Sequence, residues 1–226
     1  MTVHKRPDAR PEGNRPRAGR PQATTRAALE AVAFQLFAAK GFDETSIEDI
    51  TATADIGRRT FFRYYASKND LVWGDFAGEL RRLRAWFAAV TGDVPLMEAI
   101  RRGVVEFNRY PAEQQPRHRE RMALILDVPS LRANSTLRFV QWRGVIAEFA
   151  AQRLGLRPDD LYPVVIGHCA LGAALAAYEA WLRDAAADLT ALLDDALAVL
   201  TDGFQPVTTA PASPRPHRGG GRTRAG

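Results

Sequence analysis

Apolar residues recur at intervals of three and four through most of the chain, which is the spacing of one face of an α-helix. The pattern runs from about Thr24 to Gly203, and alternating runs that would indicate strands are absent from it. Its breaks fall at the glycine, proline and aspartate residues that commonly end helices. The pattern predicts an all-α protein with helices over 24–40, 46–53, 57–64, 67–90, 95–108, 113–126, 131–154, 159–183 and 188–203.

The two ends of the chain differ from this helical stretch in composition and charge. Residues 1–23 are rich in Pro, Gly and Arg, and 206–226 form a low-complexity tail, so neither is expected to pack. Of the 31 basic and 26 acidic residues, 11 and 2 lie in 1–26 and 206–226, which leaves a net charge of −4 between them. Basic ends on such a body indicate a polyanionic partner. The alternative is that they only aid solubility.

Two short predicted helices joined by a tight turn form a helix-turn-helix. Thr45 and Glu48 have the spacing of a capping box that begins the first helix, in which Ile47 points inward. Asp55 then turns the chain, and Gly57 begins the second helix.

The second helix of this motif separates aromatic side chains from arginines. Phe61 and Tyr65 are four residues apart and share one face. Arg59 and Arg63 lie on the opposite face, and Arg58 begins the helix, so the rings face the core and the arginines face an external anion. Because arginine can bond guanine O6 and N7 together, the helix suits the major groove of DNA. The alternative is a solvated cationic face on an ordinary bundle.

Ser67 and Asp70 form a second capping box, which begins a long predicted helix over 67–90. Lys68, at its start, can reach a phosphate, and the free backbone N–H groups there also favour an anion.

The composition favours a cytoplasmic protein without catalytic or metal chemistry. Cys169 is the only cysteine, so no disulfide forms within the chain. No apolar signal segment begins the chain, and no run of about 18 apolar residues predicts a membrane span. Motifs of hydrolases, metalloproteases and nucleotide-binding proteins are absent, so we expect neither an enzyme nor a cofactor. His168 beside Cys169 falls short of the four ligands of structural zinc, and we expect both to serve packing.

The run AFQLFAAKGFDETSIEDITATADIGRRTFFRYYASKNDL, at 33–71, resembles the N-terminal domain of the TetR family of bacterial repressors. The resemblance implies a three-helix DNA-binding head joined to a helical-bundle body that binds a ligand and dimerises. It also implies a homodimer on a near-palindromic operator, released by a small molecule. The boundaries expected from it are 1–23 for a basic arm, 24–71 for the head, 72–205 for the body and 206–226 for the tail.

Residues of the family's DNA-reading surface carry over by position onto this chain. They are Ile47, Arg58, Arg59, Thr60, Phe62, Arg63, Tyr64 and Lys68, the last at the family's common phosphate-contacting lysine. Phe62 stands where the family usually has tyrosine, which removes a hydroxyl that would contact phosphate. Asp55 stands at a frequent glycine and is expected to adopt a left-handed turn.

The arm contains RAGRP at 17–21, which is similar to the core of a minor-groove hook. Arg17 and Arg20 are therefore expected in a narrow A·T-rich minor groove, with plain disorder as the alternative.

Three stretches of the body resemble one branch of the family, the regulators associated with the peptide-derived cofactor mycofactocin. They are KNDLVWGDF (68–76), DVPLMEAIRRGVVEFNR (93–109) and STLRFVQWRGVIAEF (135–149). The resemblance implies repression of the genes for cofactor maturation and a response to long-chain acyl-CoA esters.

An acyl chain needs a long apolar channel between helices, with polar groups at its mouth. The expected wall residues are Phe107, Met122, Leu126, Trp142, Ile146 and Phe149. RHRER at 117–121, and Arg138 with Arg143, are candidates to hold the phosphates of the ligand. A solvated charged face is the alternative for these cations, and core packing is the alternative for the rings.

Small residues in the apolar run of helix 159–183 allow a close approach of another helix. Together with the helix that follows, they suit a four-helix dimer interface, with Gly167, Gly172, Ala176, Leu193 and Leu197 as its expected members. The alternative is close packing within one chain.

The preferred interpretation is a repressor whose ligand pivots helix 67–90, so that the two heads lose their register on DNA. One alternative is a helical acyl-CoA-binding hydrolase. The other is a nonspecific architectural DNA binder that uses only the arm, which predicts no operator preference and no ligand response.

Overall fold

The computed structural model describes residues 25–201, and this part of the chain contains helices and turns without a strand. The predicted all-α class is confirmed. In chain order the helices are α1 (Arg26–Lys40), α2 (Ile47–Thr53), α3 (Arg58–Tyr64), α4 (Lys68–Trp73), α5 (Phe76–Ala89), α6 (Leu96–Phe107), α7 (Gln115–Asp127), α8 (Pro129–Asn134), α9 (Thr136–Leu154), α10 (Leu161–Arg183) and α11 (Leu189–Thr201). The predicted arm and tail, 1–23 and 206–226, lie outside the described residues.

Helices α1 to α3 form the head around a small aromatic core. Phe37 packs against Phe42 with ring centroids 5.1 Å apart, and Ile50 and Phe61 are fully buried. Asp55 turns the chain between α2 and α3 with φ of 50°, the left-handed conformation expected for it. Helices α2 and α3 thus form the predicted helix-turn-helix.

The capping box of α2 lies one residue later than the sequence spacing indicated. Ser46 Oγ accepts from the backbone N–H of Asp49, whose carboxylate accepts from the Ser46 N–H. The predicted Thr45–Glu48 box is wrong, because Thr45 is buried and donates its hydroxyl to Gly41 O at 2.7 Å.

The predicted helix over 67–90 is two helices, α4 and α5. Ser67 caps α4 by accepting from the N–H of Asp70, but the Asp70 carboxylate accepts from the Ser67 hydroxyl, so the predicted capping box forms only in part. Gly74 then adopts φ of 62° and ψ of −140°, and Asp75 caps α5 by accepting from Gly78 N at 3.2 Å. A residue with a side chain rarely adopts such a φ, so the break depends on Gly74.

The body is a bundle in which α10 packs along α9 and α11. Helix α6 packs against α11, and α5 packs against α6 and α9. The predicted helix 131–154 is α8 and α9, which meet at the buried residue Ser135. Gly167 brings α10 close to α9, since a Cβ there would lie 2.8 Å from Arg143 O.

Helix α10 is, among the residues described, long and apolar enough to cross a membrane by length and composition. A core helix of a bundle passes the same two criteria. About a third of its apolar stretch is buried against α9 and α11, so much of the helix surface remains outside the core of its own chain.

Replacing Gly74 by alanine is expected to destabilise the protein by about 1–3 kcal/mol, because the residue would be held at positive φ. The added Cβ would also lie 2.8 Å from Arg121 Nη1, so that guanidinium would have to move. Urea unfolding followed by circular dichroism measures the change. Gly92→Ala is the matched control, since nothing lies within 4 Å of a Cβ at that position; equal stability of the two variants would contradict the argument.

Candidate functional site

Helix α3 presents the arginine face that its sequence pattern indicated. Phe61 and Tyr65 are buried, with exposures of 0% and 3%, whereas Arg58, Arg59 and Arg63 are exposed. The separation of rings and cations is therefore confirmed, and the face offers several guanidinium groups to an anion.

The arginines on this face are held in different ways. Arg58 forms an ion pair with Glu48 of α2, Nη1 to Oε1 2.5 Å, and its guanidinium lies 5.8 Å from the Phe62 ring centroid. Arg63 lies 5.0 Å from the ring centroid of Tyr64, its chain neighbour. The Arg58–Glu48 pair is thus an exposed contact between α3 and α2.

The remaining predicted DNA contacts surround this face. Phe62 is 45% exposed, while Ile47, Thr60 and Tyr64 are half-buried. Ile47 also packs against the core of the head. The two arm residues that were predicted to enter the minor groove, Arg17 and Arg20, lie outside the described residues.

Lys68 does not fit the phosphate contact that was predicted for it. Its Nζ donates to Phe42 O at 2.6 Å and to Thr45 O at 2.7 Å, and it lies 4.1 Å from the Phe42 ring centroid. Burial lowers the pKa of Lys68. Because its donors are directed at carbonyl groups of the loop between α1 and α2, the side chain joins that loop to α4.

A cavity of 520 Å³ lies where the head meets the body. Its wall takes residues from α1, α4, α5, α6, α7, α9 and α10, and the segment between α6 and α7. Aromatic and aliphatic side chains make up most of it: Trp73, Phe76, Phe107, Tyr110, Met122, Ile125, Phe139, Trp142, Leu171, Leu175 and Tyr178. The volume and lining are those of a small-molecule site.

Three of the six predicted wall residues, Phe107, Met122 and Trp142, line the cavity. The other three do not. Phe149 stacks on Phe87 with ring centroids 4.3 Å apart, Ile146 is fully buried, and Leu126 packs against the core.

Two wall residues of α7 that were not predicted, His118 and Ile125, could have been found from helical spacing. His118 and Ile125 stand four residues before and three residues after Met122, so helical spacing puts all three on one face. The contributions of α1 and α10 had no comparable signal.

A buried polar network forms one part of the cavity wall. Tyr178 donates its hydroxyl to Asn108 Oδ1 at 2.5 Å, and His118 Nε2 lies 2.8 Å from the same hydroxyl. Since the Tyr178 proton is used on Asn108, His118 is the donor in its pair. Burial, with the Arg121 charge nearby, lowers the pKa of His118 to about 3, so the imidazole is neutral at pH 7. The Tyr110 ring stacks on it at 4.1 Å.

The charged residues of the lining are mixed. Arg117 and Arg121, from the predicted cationic run, line the cavity, together with the acidic residues Glu30, Asp75, Glu79 and Glu113. The other predicted phosphate-binding cations do not line it. Arg119 lies 4.1 Å from the Trp181 ring centroid, Arg138 pairs with Asp70, and Arg143 packs near α10.

Three N–H groups of lining residues are buried and have no hydrogen-bond partner in residues 25–201. They are Trp73 Nε1, Arg117 Nη1 and Arg121 Nε. A buried unpaired donor costs about 1–3 kcal/mol. Because these three atoms have almost no accessible surface, a ligand in the cavity does not reach them in this arrangement of the side chains.

Helix α10 also exposes an apolar face outside the cavity. Leu161, Tyr162, Val164 and Val165 are at least 36% exposed, and the predicted interface residues Gly172 and Ala176 are exposed as well. The other three predicted interface residues, Gly167, Leu193 and Leu197, are buried within their own chain, which is the alternative that the sequence had left open.

His168 and Cys169 also lie exposed on α10 and do not serve the core packing that was expected of them. Among residues 25–201, no cluster of three His, Cys, Asp or Glu residues is arranged to hold a metal ion.

Two family profiles match successive parts of the chain. Residues 29–72 match "Bacterial regulatory proteins, tetR family", and 94–205 match "MftR C-terminal domain". A Mycobacterium tuberculosis protein that carries the name mycofactocin biosynthesis transcriptional regulator MftR is 42% identical over 188 residues. The alignment covers 83% of this chain and 95% of that protein.

Solved structures with the same fold have low sequence identity to this chain. A TetR-family regulator from Syntrophomonas wolfei has a TM-score of 0.58 at 17% identity, covering 79% of this chain and 95% of its own. Thermus thermophilus FadR, a TetR-family repressor in complex with lauroyl-CoA, has a TM-score of 0.52 at 22% identity, covering 85% and 99%.

Replacing Lys68 by methionine is expected to lower stability by about 2–3 kcal/mol, because loop carbonyls lose a charged donor. The salt dependence of DNA binding is expected to keep its slope, whereas loss of a phosphate contact would reduce the slope by about one. Unfolding curves and titrations at several salt concentrations measure both. Lys40→Met, which removes an exposed ion pair with Asp49, is the control. A salt slope that is reduced in the Lys68 variant alone would show that Lys68 does contact a phosphate.

Replacing His118 by glutamine is expected to flatten the loss of stability in acid. The unfolded chain binds a proton at His118 below about pH 6.5, but the folded chain does so only near pH 3. The free energy of unfolding therefore decreases as the pH is lowered from about 6.5 to about 3, by up to about 1.4 kcal/mol per pH unit from this group. Urea unfolding of both proteins between pH 7 and pH 4 measures the difference, and parallel profiles would contradict the buried neutral imidazole.

Proposed function

The chain belongs to the TetR family of bacterial transcriptional regulators, in the branch with the MftR C-terminal domain, and we propose that it is a repressor released from its operator by a long-chain acyl-CoA. The observation that carries this proposal is the position of the cavity. Its wall includes α1 of the DNA-binding head as well as the helices of the body. A ligand in the cavity therefore contacts both parts that it has to move.

The chemistry of the wall supports an acyl chain. Aromatic and aliphatic groups dominate, and 520 Å³ lies within the range of about 300–1,000 Å³ for small-molecule sites. The FadR structure from Thermus thermophilus, which shares the fold, is in complex with lauroyl-CoA.

The charges of the wall determine how much of the ligand it suits. Four carboxylates against two guanidinium groups would repel the phosphates of a nucleotide, so the acyl chain enters and the nucleotide stays at the mouth. The side chains of Arg117 and Arg121, which line the cavity, carry donors for the thioester carbonyl.

DNA recognition in this proposal uses the exposed face of α3. Arg58, Arg59 and Arg63 reach base edges or phosphates, with Thr60, Phe62 and Tyr64 beside them. Lys68 is not part of this surface, since its donors are occupied within the protein.

A second copy of the chain covers the exposed apolar face of α10 in this proposal. Leu161, Val165, Gly172 and Ala176 recur at intervals of four, seven and four, so they follow one side of the helix. Regulators of this family act as dimers on DNA. A dimer that reads two half-sites one turn of DNA apart needs its two α3 helices about 34–36 Å from each other.

The function is tested by titrating the full-length protein with labelled DNA from its own upstream region and with scrambled DNA, at fixed salt, with and without oleoyl-CoA. The upstream DNA is expected to bind more tightly, and the ester is expected to weaken that binding about 5–150-fold. Free CoA, measured in the same samples, tests the hydrolase alternative. Tight binding that ignores the ester would overturn the effector class, and no preference over scrambled DNA would favour the architectural binder.

Replacing Leu175 by tryptophan is expected to weaken the response to oleoyl-CoA while operator binding without ligand persists, because the larger ring occupies part of the cavity. Leu182→Trp is the matched control, since Leu182 is half-buried on the same helix but is not part of the cavity wall. The ratio of operator affinities with and without ester is the measurement. An unchanged ratio for the Leu175 variant would place the effector elsewhere.

A further inference from the structure

The head and the body are joined by a hydrogen-bonded ion pair at the cavity. Glu30 of α1 accepts from Arg121 of α7, Oε2 to Nη2 2.6 Å. Its other oxygen, Oε1, accepts from the Tyr65 hydroxyl at 2.7 Å. Both members of the ion pair are about one-fifth exposed, so solvent screens the pair less than it would a surface pair. Glu30 is thus bound to the head by Tyr65 and to the body by Arg121.

The break between α4 and α5 lies against the same ion pair. A Cβ on Gly74 would be 2.8 Å from Arg121 Nη1 and 3.4 Å from Glu30 Oε1. Three elements are therefore in contact at this point: the first helix of the head, the body helix α7, and the turn between α4 and α5. A shift of the Arg121 guanidinium would change the packing of all three.

Another ion pair, between α4 and α9, does not lie at the cavity. Among residues 25–201, Asp70 of α4 also pairs with Arg138 of α9 at 2.5 Å, but neither residue lines the cavity. Glu30 and Arg121 both line it. A ligand can therefore reach the Glu30–Arg121 pair directly, whereas it reaches the other only through intervening side chains.

Arg121 is bound to Glu30 by a single hydrogen bond, because the other oxygen of Glu30 accepts from Tyr65. Its Nε is buried without a hydrogen-bond partner among the described residues, and the same is true of Nη1 of Arg117 one turn earlier. Both guanidinium groups lie over the Phe34 ring, 5.6 and 4.6 Å from its centroid. Guanidinium binds best to two acceptor oxygens in its plane, so the single contact with Glu30 leaves Arg121 open to competition from ligand oxygens in the cavity that both residues line.

We propose that the Glu30–Arg121 ion pair is the connection through which the cavity controls the DNA-binding head: an acceptor oxygen at the polar end of the bound ligand takes Arg121 from Glu30 and releases α1. The inference rests on the proposed function for the identity of the ligand, and it adds the residues that transmit binding to the head. Without ligand, the pair holds the head in the orientation that fits the operator. With ligand, Glu30 remains on Tyr65 and moves with the head.

The test compares Glu30→Gln with Glu79→Gln in the full-length protein. The first substitution keeps an acceptor oxygen for Tyr65 but removes the charge that binds Arg121. Glu79 lines the same cavity but pairs with Arg82 on its own helix, so its variant removes the same charge from the wall and spares the connection. Operator affinity is measured without ligand and with oleoyl-CoA. Ester affinity is measured by quenching of tryptophan fluorescence, since Trp73 and Trp142 line the cavity.

The Glu30 variant is expected to resemble the ligand-bound protein. Its operator affinity without ligand should fall about 5–10-fold, and its ester affinity should rise by a similar factor, because coupling between two binding sites is reciprocal. The ester should then weaken operator binding less than it does in the wild type. Arg119→Met, a change on the same helix as Arg121 at a residue bound to Trp181 and Asp184, is expected to leave the operator affinity unchanged.

Two outcomes would overturn the inference. One is a Glu30 variant with wild-type operator affinity, and the other is an equal effect of the Glu30 and Glu79 substitutions, which would indicate general electrostatics of the wall. If the wild type ignores the ester, the proposed effector fails, but the comparison of the two variants on operator DNA alone still decides whether the ion pair holds the head. Thermal unfolding of each variant shows whether an affinity change reflects a loss of fold.

Discussion

The chain has to change direction at Gly74, and the arrangement of the head and the cavity depends on how it does so. A continuous helix through this point would carry α4 straight into α5. Instead, φ of 62° at Gly74 ends α4 after Trp73, and Asp75 begins α5. Trp73 and Phe76, on the two sides of the break, then pack edge to face at 4.9 Å and both line the cavity. The break thus makes the link between the two parts of the protein a part of the cavity wall.

The cavity wall combines two demands that usually conflict. Its apolar rings favour a ligand without polar groups, while Asn108, Tyr178 and His118 place buried hydrogen-bonding groups beside them. Those three groups bond to one another, so the network is stable without a ligand. The unpaired donors belong to Trp73 and the two arginines near the head. The acidic groups of the wall come from α1, from α5 and from the segment between α6 and α7, so charged and apolar side chains share the cavity.

Features that depend on residues close together in the sequence could be predicted from it, whereas features that depend on residues far apart could not. The faces of α3 follow from residues three and four apart, and that spacing correctly predicts Phe61 and Tyr65 inside and the arginines outside. Lys68 was misjudged because the carbonyl groups that hold it are 23 and 26 residues away, where no spacing rule applies. Glu30 and Arg121 are 91 residues apart. The break at Gly74 had a local signal, a glycine followed by an aspartate, but the apolar periodicity continues across it.

The division of charge between the ends and the body fits a protein in which small movements of the head change the affinity for DNA. The stretch between the basic ends has a net charge of −4, so its attraction to DNA is confined to the arginine face of α3 and to nearby basic groups. Phosphate contacts fix register and orientation on the duplex. When few contacts act, a head that turns slightly loses a large share of them. In a dimer the loss extends further, because the second head binds as an intramolecular partner of the first and depends on their spacing. A single ion pair at the base of each head can therefore have an effect on operator affinity much larger than its own contribution to the stability of the fold.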